Sequence, residues 1–463
     1  MISILPKTTD RTGFFFFLSC IVLYAYCLII APFGADSGYY LSCARMMADG
    51  LVPYRDFSMA YTPVSILLLS IPYQLFGTDI SSHASYGMLF LTQLANTGLL
   101  YVILRKLSVE KNIIFFCLGL YLLLNLKNDG LYLGLEPFVI FFGLLALITL
   151  TSEIKGKLWI CGLLLGVSFM TKQYALAFAP VAGGLWLFTN HHESVATRLI
   201  GVLKLAGGFL IPILFVYFYY AHKTGDHSFY LLMAGNEYGD RKISMIFVGL
   251  QKALLPFILV IPMLYLSWKQ ISAKDRIWLM VCGIGIAFFA LQYYFQIFPH
   301  YHMFLFPFCI LILAITLSGK TRKKSVNILF YLLLTGNLIY FFSTKGIPSR
   351  RIKKQQIAFM QEASNIIDKE KKCLVFNSHY VISPHLYSEM GLKPIDLKNN
   401  RFGFETNEEM LKIIGQADYV MIQEYHLNLL KSQSPELYTE INRDSLLLNH
   451  HGFLIFRKTE IIL

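Results

Sequence analysis

Three charged residues stand where an otherwise apolar sequence leaves little reason for charge. Asp36 lies in Gly34-Ala35-Asp36-Ser37-Gly38-Tyr39-Tyr40, just past the first apolar block. A carboxylate at such a water edge can cap the helix that follows, or act as a general base that takes a proton from an incoming hydroxyl. Glu136, in Leu135-Glu136-Pro137-Phe138, opens another apolar block. An ionisable group costs about 2.5 to 3.5 kcal/mol at mid-bilayer. Glu136 is therefore either the favourable acid of a helix N-terminus, with Pro137 suited to the first turn, or a functional group. Lys172, in Met170-Thr171-Lys172-Gln173-Tyr174, separates two short apolar segments. It can snorkel to an interface or neutralise a phosphate as a compact charge, and its interrupting position favours the phosphate.

Weaker signals surround these three. The stretch after Asp36 carries Pro53-Tyr54-Arg55-Asp56-Phe57 and Tyr61-Thr62-Pro63. A later polar loop, 222–242, holds Asp226, His227, Glu237, Asp240 and Arg241, and Pro299-His300-Tyr301-His302 joins two apolar blocks. The histidines lack metal-motif spacing. Interfacial packing is expected of His302, whereas His300 and Arg241 are expected to face a polar head group. Asp129 reads as a turn residue.

The elements that must position these groups are membrane helices. Of 463 residues, 56 % are hydrophobic and only 15 % charged, against about 25 % charged in soluble domains, and the mean hydropathy is +0.54. The apolar residues come in blocks at 13–33, 84–104, 112–126, 134–151, 158–170, 174–189, 199–221, 246–268, 276–298, 301–318 and 325–343, which predicts about eleven spans. The net charge of +12 is dispersed as short clusters between blocks and not as one basic face, so no nucleic-acid partner is expected. The eight cysteines show no paired spacing, and six lie inside apolar blocks, where cysteine serves as a small hydrophobe. The first block follows Lys7 and Arg11, is too long for a signal-peptide core, and is expected to be a retained helix.

One more apolar stretch, 63–76, is short and contains Pro63 and Pro72. If it crossed, Arg105, Lys106, Lys111 and the cluster Lys320, Arg322, Lys323, Lys324 would fall outside. If it lies in the outer interface, those clusters fall inside with the N-terminus, as the positive-inside rule requires. The second topology places the loops 34–83, 127–133, 171–173, 222–245 and 299–300 outside, with everything after residue 344. There a basic linker leads into β-like runs at 373–376, 419–423 and 453–456, alternating with helical patterns near 408–414 and 425–430. The expected organisation is an α-helical polytopic domain, 1–343, followed by a small extracytoplasmic α/β domain, 344–463.

Taken together, Asp36, the Gly50/Pro53-Tyr54-Arg55-Asp56-Phe57 run, Tyr61-Thr62-Pro63 ending in Leu75-Phe76-Gly77, Leu135-Glu136-Pro137-Phe138 and Thr171-Lys172-Gln173 resemble the membrane glycosyltransferases of the GT-C superfamily. The bacterial protein O-mannosyltransferase and aminoarabinose-transferase group is the most similar. The resemblance follows the order of elements over roughly residues 10 to 345, and it includes interfacial helices in the first outer loop. It implies a polyprenyl-phosphate-linked sugar donor and transfer, with inversion, to an external lipid, glycan or protein acceptor. Asp36 would take the place of the outer-loop catalytic acid, Glu136 a second acidic position and Lys172 a basic position near the donor phosphate. Arg55, Asp56, Tyr61, Arg241, His300 and Tyr301 are the expected substrate contacts. Many members carry a second acid directly after the first, whereas Ser37 follows Asp36 here. That departure bears on any metal binding or shared base role at this pair. No cofactor is implied, and a divalent cation is left open.

The setting would be a bacterial plasma membrane, with membrane lipid around the helices. A transporter or flippase of a lipid-linked saccharide is the alternative reading. It would place ionisable groups near the midplane, often on repeated halves, whereas here the acids cluster at one face and no repeat is visible. A membrane scaffold would leave Asp36, Glu136 and Lys172 without a shared purpose.

Overall fold

Helix α1 (Arg11–Ile30) contains no charged residue after Arg11, and a helix is one of the few ways to satisfy a backbone in hydrocarbon. It stops one residue short of Ala31, which precedes Pro32 and is thereby biased away from helical geometry. The computed structural model describes residues 11–31, 35–57, 59, 61–77, 81–225, 227, 242–258, 260–294, 297–318, 347–368, 372–375, 393–394, 411–412, 414–450 and 453–457. After α1 come α2 (Ala35–Ala48), α3 (Val64–Phe76), α4 (Ser81–Lys106), α5 (Lys111–Lys127), α6 (Glu136–Leu150), α7 (Lys157–Phe169), α8 (Phe178–Thr189) and α9 (Val195–Thr224). Then follow α10 (Ile243–Leu254), α11 (Val260–Ser267), α12 (Ala273–Ala290) and α13 (Phe306–Leu317).

The protein is thus a largely helical, polytopic one, but the helices are less uniform than the expected spans. Among the described residues four stretches are long and apolar enough to cross a membrane: Thr12–Ile30, His83–Lys106, Val195–Thr224 and Ala273–Tyr294. Others are short apolar helices, such as α6, α7 and α13. The block at 246–268 is broken at Leu255–Phe257 into a 3₁₀ turn, because Pro256 offers no N–H to an α-helical ladder. The block at 325–343 lies outside the described residues. The stretch at 63–76 forms α3, whose 13 residues reach about 20 Å, short of a hydrocarbon core of about 30 Å.

Two compact units make up the chain: Met1–Ile29 with Met88–Phe218 and Asn236–Gly346, and Ile30–Gly87 with Tyr219–Gly235 and Ile347–Leu463. In the first, α7 and α9 cross with main chain against main chain. A side chain at Gly162 would strike Leu205 O, one at Gly166 Phe209 O, and one at Gly208 Trp159 O. Small residues permit this approach, which replaces a hydrophobic drive that lipid does not supply. Gly143 of α6 leaves room in the same way for the ring of Phe178, which meets Phe289 edge-on at 4.9 Å. Ser168 Oγ of α7 donates to Val139 O of α6 at 2.9 Å.

In the second unit a tight loop follows α2. Tyr54 holds a left-handed φ of 68°, a conformation that costs a bulky L-residue about 1–2 kcal/mol. Its N–H donates to Phe57 O at 2.9 Å and its hydroxyl to Tyr61 O at 2.7 Å. The C-terminal segment starts with α14 (Ile347–Ile366) and builds a five-stranded sheet from β1 (Lys372–Val375), β2 (Lys393–Pro394), β3 (Tyr419–Gln423), β4 (Ser445–His450) and β5 (Phe453–Arg457). The order is β2-β1-β3-β5-β4. β1 is parallel to β2 and β3, while β5 is antiparallel to β3 and β4. Two helices, α15 (Glu424–Gln433) and α16 (Pro435–Asn442), give Leu427, Leu430, Leu437 and Ile441 to a core with Val420, Ile422, Leu454 and Phe456.

Candidate active site

Glu136 is the first residue of α6, where unpaired backbone N–H groups and the helix dipole favour an acid. Its side chain is nonetheless 2 % exposed, so the dipole alone does not account for a charge there. The compensation comes from 36 residues further along the chain: Lys172 Nζ donates to Glu136 Oε1, and the lysine side chain is 4 % exposed. Two features hold the carboxylate. Gly134 has no side chain, and a Cβ there would run into Glu136 Oε2. Asn96 Nδ2 of α4 donates to Pro137 O at 3.0 Å, which fixes the first turn.

Lys172 is placed by a break. Helix α7 ends at Phe169, Lys172 is extended (φ −160°, ψ 135°), and a 3₁₀ turn over Gln173–Ala177 leads into α8. The extended residue turns its side chain inward between two aromatic rings, with Nζ 5.2 Å from the centroid of Tyr301 and 5.6 Å from that of Tyr174. Each such contact attracts a desolvated ammonium by about 0.5–2 kcal/mol. The Tyr301 hydroxyl donates to that of Tyr174 at 3.3 Å, and the rings meet edge-on at 5.0 Å.

Tyr301 and His300 share the 3₁₀ turn Pro299–Phe304. His300 Nε2 stands 3.9 Å from Glu136 Oε1, and Nδ1 3.9 Å from Asp129 Oδ2. Asp129 has a left-handed φ of 64°, so the expected turn residue also carries a carboxylate to the site. Beside it, burial and the charge of Asp129 push the Tyr132 phenol above its ordinary range. His302 is buried, with Nδ1 2.6 Å from the Tyr293 hydroxyl.

The structure therefore brings together four of the expected site residues, Glu136, Lys172, His300 and Tyr301. Tyr174, Gly134 and Asp129 join them: Asp129 reads from sequence only as a turn residue, while for Tyr174 and Gly134 the signal available is their adjacency to Lys172 and Glu136. In the second unit, Arg55 and Asp56 satisfy each other, Nε to Oδ1 and Nη2 to Oδ2 both at 2.8 Å, and Asp56 Oδ2 also accepts Val52 N at 2.7 Å. Arg55 Nη1 reaches Lys223 O at 3.4 Å. Tyr61 packs edge-on to Tyr39 and Tyr40. Burial, with Tyr220 and Cys43 nearby, holds the Tyr54 phenol well above its ordinary range. Asp36 is the second residue of α2; its side chain lies outside the described residues, as does the whole of Arg241. Among the described residues no group of three or more His, Cys, Asp or Glu side chains is arranged to hold a metal ion.

The sequence matches no protein-family model and no curated protein. Solved structures are similar to it over nearly its whole length. ArnT from Cupriavidus metallidurans bound to undecaprenyl phosphate superposes with a TM-score of 0.65 at 12 % identity, covering 98 % of this chain and 99 % of that one. The apo state of the same protein gives a TM-score of 0.67 at 12 % identity, covering 97 % and 98 %. The fold is that of ArnT. The likeness to ArnT extends over the whole fold, C-terminal segment included. The apo oligosaccharyltransferase from Archaeoglobus fulgidus is similar at a TM-score of 0.49 and 11 % identity, covering 96 % of this chain and 75 % of that one.

Proposed function

We propose that this chain is an inverting membrane glycosyltransferase that moves a sugar from a polyprenyl-phosphate donor to an extracytoplasmic lipid, glycan or protein. The observation that carries the reading is the buried Lys172, held between Tyr174 and Tyr301 against Glu136, in a fold shared with a protein whose structure holds undecaprenyl phosphate. A cation already desolvated and boxed by aromatic rings binds an entering phosphate strongly, because little further solvation is lost.

In the proposed reaction the phosphate seats on Lys172, and Asp36 takes the proton of the acceptor hydroxyl. The acceptor oxygen attacks the anomeric carbon from the face opposite the phosphate, the bond from that carbon to the phosphate oxygen breaks, and the polyprenyl phosphate departs. Glu136 orders the site, with His300 and Tyr301 beside the donor and Arg55, Asp56, Tyr61 and Arg241 in contact with substrate. Catalysis belongs to a membrane domain, 1–343, and the domain 344–463 lies outside, in a bacterial plasma membrane with the N-terminus cytoplasmic. A divalent cation, if required, would show as loss of transfer on chelation.

The test is transfer by purified protein from a panel of radiolabelled polyprenyl-phosphate sugars to crude envelope acceptors, with Asp36→Asn alongside. The reading expects transfer by the wild type and its loss in Asp36→Asn with donor binding intact. Full activity in the variant removes Asp36 as base. Donor binding without turnover across the panel points instead to a transporter.

A further inference from the structure

Glu136 has a lysine and a histidine aimed at one oxygen. Lys172 Nζ occupies Oε1, and His300 Nε2 stands 3.9 Å from the same atom. On its other side His300 keeps Nδ1 3.9 Å from Asp129 Oδ2. Both separations lie within ion-pair reach and beyond hydrogen-bond length. Among the described residues neither ring nitrogen of His300 makes a hydrogen bond. The imidazole plane is fixed by stacking on Phe298 at 5.2 Å and 16° and by Tyr301 edge-on at 4.7 Å.

This arrangement answers a difficulty in the donor reading, on which the inference rests. When Lys172 turns to a phosphate its hold on Glu136 is weakened, and a carboxylate buried to 2 % exposure is strongly destabilised without a full counter-charge. We propose that His300, as imidazolium, receives Glu136 when Lys172 turns to the donor phosphate. Donor binding then draws one proton from bulk water onto the imidazole. Other groups face it too: Asp129 just after α5, Glu136 on α6, and Tyr301 and His302 on its own turn, while Lys127 at the end of α5 acts on His302. Lys172 and Tyr174 lie beyond Glu136, Lys252 of α10 acts on His302, and α13, packed on the same turn, brings only the buried Cys309.

The test compares full-length protein in detergent from about pH 5 to 8, the range in which imidazoles change charge. One arm needs no donor. Lys172→Met imitates the departed lysine, so folded His300 beside a lone Glu136 binds a proton more tightly than the unfolded chain does. Stability is then present at low pH and lost as pH rises, and the melting temperature of Lys172→Met should climb on acidification. The climb should vanish in Lys172→Met/His300→Gln. If it persists there, Glu136 neutralises itself by taking the proton, and the proposal is overturned. Lys172→Gln carries the same comparison where the methionine variant does not fold.

The second arm is affinity for undecaprenyl phosphate as probe. Wild type should weaken about tenfold from pH 6 to pH 8, and His300→Gln should bind at the weaker level throughout. An unchanged profile in His300→Gln overturns the proposal. A wild type that binds no polyprenyl phosphate at any pH, with the melting arm as expected, removes the donor reading and its lysine movement while the His300 to Glu136 coupling stands.

Discussion

Lys172 and Glu136 meet across 36 residues of chain, and each is the other's counter-charge in a place almost without solvent. Either charge left alone is costly, whereas both removed together are not. Glu136→Gln and Lys172→Met should each lower stability by about 3–5 kcal/mol, and the double variant should recover much of the loss. Denaturant unfolding in detergent measures this. A double variant as unstable as the sum of the two singles would show that the residues are not coupled.

Gly134 tests how closely the carboxylate is held. A methyl group at this position would displace Glu136 Oε2, so Gly134→Ala should cost about 1–3 kcal/mol and disturb the ion pair. The check is sugar transfer per folded molecule alongside melting temperature. Unchanged transfer would mean that the carboxylate has slack.

Asp129 separates charge from backbone geometry. Asn tolerates the left-handed region almost as well as Asp, while Ala does not. Asp129→Asn is expected to unfold within about 0.5 kcal/mol of wild type and Asp129→Ala about 1–2 kcal/mol earlier. Equal stability of the two would mean that the φ of 64° stores no strain.

Tyr54→Phe removes the hydrogen bond to Tyr61 O and should cost about 1 kcal/mol. Amide exchange over residues 52–62 should accelerate. Because burial holds the Tyr54 phenol above its ordinary range, the unfolded chain gives up that proton first. Stability present below about pH 10 therefore falls as pH rises beyond it, and Tyr54→Phe should show a shallower alkaline decline. Parallel declines in the two proteins would place Tyr54 in water.

Helical blocks were legible because apolar runs in lipid leave the backbone few alternatives. The interruption at Lys172 was legible for the same reason, since a charge in such a run demands a cause. Its partner was not, because the contact with Glu136 depends on how α6 and α7 pack through Ser168 and on a 3₁₀ turn from another part of the chain. The block at 246–268 read as one helix because its hydropathy is continuous, while Pro256 acts on hydrogen bonding, which hydropathy does not register. Strands β1, β3 and β5 coincide with the β-like runs near 373, 419 and 453. Strand β4 escaped notice because it lies at the sheet edge with Leu446 and Leu447 exposed, so no alternating pattern marks a buried face. The position of Asp36 in the first turn of α2 agrees with a helix following the first apolar block.

The glycine seam between α7 and α9 has a mechanical consequence. Packed interiors transmit strain, and at Gly162, Gly166 and Gly208 main chain rests on main chain with no side-chain layer between. Helix α9 turns Leu203, Leu210, Leu214, Phe215 and Phe218 outward, where lipid presses on it. Three residues past its own end, α7 delivers Lys172. The glycine seam thus couples α9 directly to α7, and α7 leads into the break that carries Lys172.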